Sequence, residues 1–146
     1  MDALRSWTRT EFPHDGDARE VYRKGAGPGV IVIHEVPGIQ PDLVAFAERI
    51  VARGYTVWLP RLFGTPGAGF TPANVAADLR QFCVRREFSI FARGKTSAIA
   101  GWLRGLARAL HEQSGGDGVG VIGMCFTGGF ALAMMADAPV IAPVLA

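Results

Sequence analysis

The sequence predicts a doubly wound α/β fold, a mostly parallel sheet with helices on both faces, built as a single domain over residues 1–146. Three observations predict it. Short β-branched runs bounded by glycine are too uniformly apolar for strands with one wet face. Stretches between them carry apolar residues at helical spacing. The two patterns alternate along the chain, which is how parallel strands joined by helical crossovers read.

The first 24 residues hold alternating fragments such as Glu20-Val21-Tyr22-Arg23 around the turn His14-Asp15-Gly16-Asp17, and predict one or two edge strands. The run from Gly29 to His34 predicts a strand buried on both faces. After the turn at 35–39, Pro41 suits a first helical position and Asp42 the positive end of the helix dipole. Leu43, Val44, Phe46, Ala47, Ile50 and Val51 then recur at helical spacing, with Gly54 as the stop. Tyr55 to Leu59 predicts a second strand closed by Pro60, so that residues 29–59 make a right-handed, parallel strand-helix-strand unit.

Residues 61–72 carry Gly64, Pro66, Gly67, Gly69 and Pro72 and read as a long surface loop, a usual place for substrate contacts. A polar helical stretch is expected over 72–86. From Thr96 to Glu112, apolar residues at 98, 99, 102, 103, 106 and 110 predict an amphipathic helix with Arg104 and Arg108 turned outward, ended by Ser114-Gly-Gly-Asp-Gly118. Val119 to Met124 predicts the third buried strand, Phe126 to Ala136 the next helix, and Val140 to Leu145 a fourth strand. The site of such a sheet lies at the carboxyl ends of its strands.

With 49% hydrophobic and 19% charged residues, the chain has the composition of a globular domain with a real core. A formal charge of +2 is too mild to point to nucleic acid or an acidic membrane as a partner. Val119 to Ala136 runs 18 residues without a charge, the length of a membrane span. Glycines at 120, 123, 128 and 129 divide it into a β-branched half and a helix-forming half, so strand, turn and helix fit it better. Two cysteines, Cys83 and Cys125, form no disulfide framework, and the polar start from Met1 to Asp17 shows no signal peptide; free thiols in the cytoplasm are expected.

The chemistry concentrates at Gly123-Met-Cys125-Phe-Thr-Gly-Gly129, between a buried strand and an apolar helix. A nucleophile placed where the chain turns sharply from strand to helix needs small residues around it. Gly123 stands two before Cys125; two after it, where glycine is usual, stands Thr127, with Gly128 one further on. At a helix start the dipole favours thiolate over thiol. The same geometry aims backbone N–H groups at a developing oxyanion, with Phe126 N–H as first donor and Val36 N–H, in the turn after the first buried strand, as second. Glu35 ends that strand and would share the carboxyl edge with Cys125, where a carboxylate accepts the thiol proton or raises the thiol pKa by like-charge repulsion. Its bland counterpart is a solvated loop carboxylate. Cys83 reads as a small buried hydrophobe, and His34 as a strand-end histidine rather than a ligand.

Two motif matches fail on context. Gly118-Val-Gly-Val-Ile-Gly123 fits the dinucleotide pattern, but its glycines precede and enter a strand instead of joining strand to helix, and Pro143 occupies the place of the acidic residue. Gly94-Lys95-Thr96 resembles the end of a phosphate loop, yet Ser89 stands where the earlier glycine belongs. No metal-ligand cluster of recognised spacing occurs, and no cofactor is expected.

Together, Val-Ile-Val-Ile-His-Glu35-Val-Pro-Gly, Gly-Tyr-Thr-Val-Trp-Leu-Pro60 and Gly-Met-Cys125-Phe-Thr-Gly-Gly-Phe resemble the dienelactone hydrolase family, from about residue 25 to the end. The resemblance implies an α/β-hydrolase fold in three α/β/α layers and a Cys-Asp-His triad, with a glutamate after an early strand governing the cysteine's proton. Cys125 and Glu35 would take those two roles. It further implies a small-molecule ester or lactone as substrate, an acyl-enzyme, and an oxyanion held by Val36 and Phe126 N–H. In this fold the acid and the histidine follow the nucleophile. Here His14, His34 and His111 all precede Cys125, and Asp137, at the end of the next helix, comes too early for the family's acid. The chain therefore reads as the amino-terminal part of such a hydrolase, with an incomplete carboxyl-terminal side and weak or no activity. Two other readings stay open: a glutamine amidotransferase-like enzyme, which also sets a cysteine at an elbow beside a carboxylate, and a non-catalytic binding module with Cys125 merely buried.

Overall fold

The computed structural model describes residues 2–35, 38–66, 71–73, 76, 98–124, 127–135 and 139–146. After a short 3-10 turn at Asp2–Leu4 come the strands β1 (Thr8–His14), β2 (Asp17–Lys24) and β3 (Gly29–Ile33), helix α1 (Pro41–Ala52) and strand β4 (Thr56–Pro60). Helix α2 (Ala98–Ser114), strand β5 (Val119–Gly123), helix α3 (Gly128–Met134) and strand β6 (Val140–Leu145) follow. The strands form one sheet in the order β1-β2-β4-β3-β5-β6. β1 and β2 are an antiparallel hairpin, β2 is antiparallel to β4, and β4, β3, β5 and β6 are parallel.

Handedness explains which helix lies on which face. The β3-α1-β4 connection moves one way across the sheet, while β4-α2-β5 and β5-α3-β6 move the other way. If every crossover is right-handed, α1 must sit on one face and α2 with α3 on the opposite one. The two cores agree. Leu43, Val44 and Ala47 of α1 pack with Val32, Val57 and Leu59. On the other face Leu103, Leu106 and Leu110 of α2, with Phe130 and Met134 of α3, pack on Ile31, Ile33, Trp58 and Val121. Neighbouring β3 residues therefore serve different layers, as a strand period of two requires. Leu103, Leu106 and Leu110 are fully buried, each contributing roughly 1.5–3 kcal/mol by leaving water.

The helices start and stop largely where local chemistry dictates. Pro41 opens α1, Asp42 lies in its first turn, and Gly54, at φ 90°, turns the chain away after Arg53. In α2 the buried face is broader than the apolar residues alone suggest, since Ala100, Gly105 and Ala107 are buried too. Their small side chains let the helix lie close to the sheet.

Three expectations need correction. Pro60 does not close β4 but is its last residue, opposite Val21; a ladder position that needs no N–H donor accepts it. Ser114 belongs to α2 and bonds back to the Leu110 carbonyl. Arg104 is not simply turned outward: its Nε and Nη2 donate to the Ala133 carbonyl at 3.3 and 2.7 Å, tying α2 to α3. Pro72 and Ala73 are helical, while most of the expected helix at 72–86, including Cys83, lies outside the described residues.

The apolar stretch from residue 119 divides into β5 and α3, and among the described residues no helix is long and apolar enough to cross a membrane. β6 ends the sheet, with Ile141, Val144 and Leu145 exposed.

Candidate active site

The site follows from the topology. β3 and β5 are adjacent and parallel, with Val30 opposite Gly120 and Ile33 opposite Gly123. Past their carboxyl ends the chain departs in opposite directions, toward β4 after β3 and toward β6 after β5. A crevice therefore opens between the two strand ends, the usual ligand position in an open α/β sheet. A cleft of about 250 Å³ lies there, lined by Glu35, Gly38, Gln40, Asp42, Leu43, Phe46 and Met124. Two carboxylates, Glu35 and Asp42, stand against apolar walls from Leu43, Phe46 and Met124, the mixed lining of a small-molecule site.

Glu35 is exposed and opens onto this cleft, as its position after β3 predicts. Cys125, Val36 and Phe126 lie outside the described residues, as does Asp137. The residues on either side of Cys125 and Phe126 are described, and they define a tight reversal. Thr127 N–H donates to the Met124 carbonyl at 3.1 Å. The fully buried Thr127 Oγ1 accepts the Met124 N–H at 2.9 Å and sits 2.6 Å from the Met124 carbonyl and 3.4 Å from that of Ile33. Its single proton goes to the nearer Met124 oxygen. Threonine two places after the cysteine, a departure from the usual glycine, thus closes the turn from inside.

Gly123 is required for space. A Cβ there would stand 2.5 Å from the Thr127 carbonyl oxygen and 2.8 Å from Gly128 Cα, closer than real contacts allow. Strand and helix approach one another backbone to backbone at this point, so only glycine fits.

A second layer of polar contacts holds the loop after β4. Arg61 N–H donates to the Glu20 carbonyl, its Nη1 to Glu20 Oε2 at 3.0 Å and its Nε to the Gly64 carbonyl at 2.7 Å. Arg9 also pairs with Glu20. Burial pushes the Glu20 carboxyl up, but Arg61 and Arg9 together hold it below its ordinary value.

His34, fully buried, bridges that loop to the end of β3. Its Nε2 accepts the Leu62 N–H at 3.0 Å, and its Nδ1 lies 3.0 Å from the Glu35 carbonyl oxygen. Burial pushes its pKa down to about 4, so the ring is neutral at physiological pH. Sequence reasoning placed His34 correctly at a strand end but missed the contacts it makes there, because Leu62 is 28 positions away. Among the described residues no group of three or more His, Cys, Asp or Glu could hold a metal ion.

The model of the dienelactone hydrolase family matches residues 17–146. No curated protein matches the chain. Among solved structures, the chain is similar to a dienelactone hydrolase-like promiscuous phosphotriesterase from metagenomic libraries, with TM-score 0.63 and 19% identity over 97% of this chain and 58% of that one. An epoxide hydrolase from Vigna radiata is similar at TM-score 0.61 and 16% identity, over 91% of this chain and 36% of that one. At such identities the likeness is one of fold, an α/β-hydrolase architecture of which the chain spans a third to three-fifths.

Proposed function

The chain belongs to the dienelactone hydrolase family, and from that premise we propose that it carries the nucleophile side of an ester- or lactone-cleaving site. Cys125 attacks the carbonyl carbon as a thiolate. The oxyanion that forms is held by the N–H groups of Val36 and Phe126; its collapse breaks the ester C–O bond, leaving a Cys125 acyl-enzyme and an alkoxide that takes a proton from water. Water then releases the acid. Glu35 governs the charge state of the thiol from the neighbouring strand end. The observation that carries this reading is the pairing of Ile33 with Gly123, which sets the two strand ends beside one another at one cleft. Apolar walls from Leu43, Phe46 and Met124 suit the hydrocarbon part of an ester.

The reading fixes a sign for the effect of Glu35. A carboxylate near a thiol disfavours the thiolate, so replacing Glu35 by glutamine lowers the apparent thiol pKa. Iodoacetamide alkylation of Cys125, followed across pH, is expected to reach half its plateau about one pH unit lower in Glu35→Gln than in the parent. A midpoint unmoved by Glu35→Gln, with the slow reactivity of an ordinary thiol, would show that the two groups do not interact.

A further inference from the structure

The two hydrogen bonds of His34 fix its tautomer. Leu62 N–H can only donate, so Nε2 must be the unprotonated acceptor; in a neutral ring the proton is then on Nδ1 and is donated to the Glu35 carbonyl. Phe63 meets the ring edge-on at a centroid distance of 4.5 Å, and no part of His34 reaches solvent. A neutral imidazole thus joins two chain segments and holds one chosen atom, the Glu35 oxygen.

That atom belongs to the peptide group joining Glu35 to Val36. A peptide is planar and, before a non-proline residue, almost always trans, so its N–H points opposite to its C=O. Holding the carbonyl therefore orients the amide. We propose that His34 is a positioning residue for the oxyanion hole: by gripping the Glu35 carbonyl it aims the Val36 N–H at the carbonyl oxygen of the substrate. The inference rests on the reading of Cys125 as the nucleophile. It gives a reason for a costly feature, an imidazole buried at a strand end with both nitrogens used.

Two substitutions separate the grip on Glu35 from the link to Leu62. The asparagine amide nitrogen falls near the position of Nδ1 and keeps a donor for the Glu35 carbonyl, but it leaves the Leu62 N–H without its acceptor. Glutamine reaches the position of Nε2 and keeps that acceptor, but loses the donor to Glu35. Two reagents separate the oxyanion hole from the thiol: acylation of Cys125 by p-nitrophenyl acetate develops an oxyanion, whereas alkylation by iodoacetamide does not.

On the 146-residue chain, His34→Gln is expected to slow acylation about 10²-fold while leaving the alkylation rate at the parent level. His34→Asn is expected to recover most of the lost acylation-to-alkylation ratio while lowering the melting temperature more than His34→Gln does. An unchanged ratio in His34→Gln, or an equal fall in both variants, would overturn the proposal. If Cys125 of the parent is itself neither alkylated quickly nor acylated, the underlying reading fails and the proposal falls with it.

Discussion

Replacing Gly123 by alanine is expected to destabilise the chain by about 3 kcal/mol and to suppress labelling of Cys125. The added Cβ would press on the Thr127 carbonyl oxygen at 2.5 Å and on Gly128 Cα and N at 2.8 and 2.9 Å. All three are backbone atoms, so no side-chain rotation relieves the contact. The start of α3 must move away from the end of β5, and with it goes the Thr127 hydroxyl that closes the turn on Met124. In thermal unfolding the loss should appear as a fall in midpoint of roughly 6–12 °C for a chain of this size. Gly129→Ala is the control. A Cβ at Gly129 meets nothing within 4 Å, and alanine is the better helix former, so its midpoint should equal or exceed that of the parent. Equal stability of Gly123→Ala and the parent would mean that β5 and α3 are not packed backbone to backbone.

With p-nitrophenyl acetate, the 146-residue chain is expected to release about one equivalent of p-nitrophenolate per chain and then nearly stop. The later rate should be at least about 10³-fold below the burst, because none of the three histidines is placed to activate water at the cleft. The positions of the histidines give the reason. His34 uses both ring nitrogens within the fold. His111 lies near the end of α2, just before β5 starts, at the edge of the sheet opposite the cleft, and bonds the Gly116 carbonyl. His14 ends β1, which β2 and β4 separate from β3, roughly 14 Å away at the usual strand spacing. Sustained release near 1 s⁻¹, an ordinary enzyme rate, would show that another group serves as base.

The parts of the fold that were legible in the sequence were those written in local pattern. Gly29–Ile33 is β-branched with both faces largely covered, Val119–Gly123 has one face buried and the other half-buried, and α1 and α2 carry their apolar residues at helical spacing. The hairpin of β1 and β2 announced itself by alternation around Asp15-Gly16, both of which take positive φ. Partners far apart in the chain were not legible. Nothing near His34 in sequence indicates Leu62, and nothing near Thr127 indicates the Ile33 carbonyl, 94 positions away. Thr127 therefore looked like a flaw in a pattern until its hydroxyl was placed. Arg104 looked like a solvated charge until the Ala133 carbonyl came within its reach. Glu35 was expected at the carboxyl edge of the sheet from its place after a buried strand, and it lines the cleft there.

The central claim is that Cys125 is the nucleophile, and the most direct measurement locates the covalent adduct. The chain is treated with one equivalent of p-nitrophenyl acetate, digested at low pH to preserve the thioester, and its peptides are weighed. The account predicts the acetyl group on the peptide containing Cys125, none on that containing Cys83, and no burst from Cys125→Ala. Acetylation spread equally over the two cysteines, or a burst that survives Cys125→Ala, would contradict it.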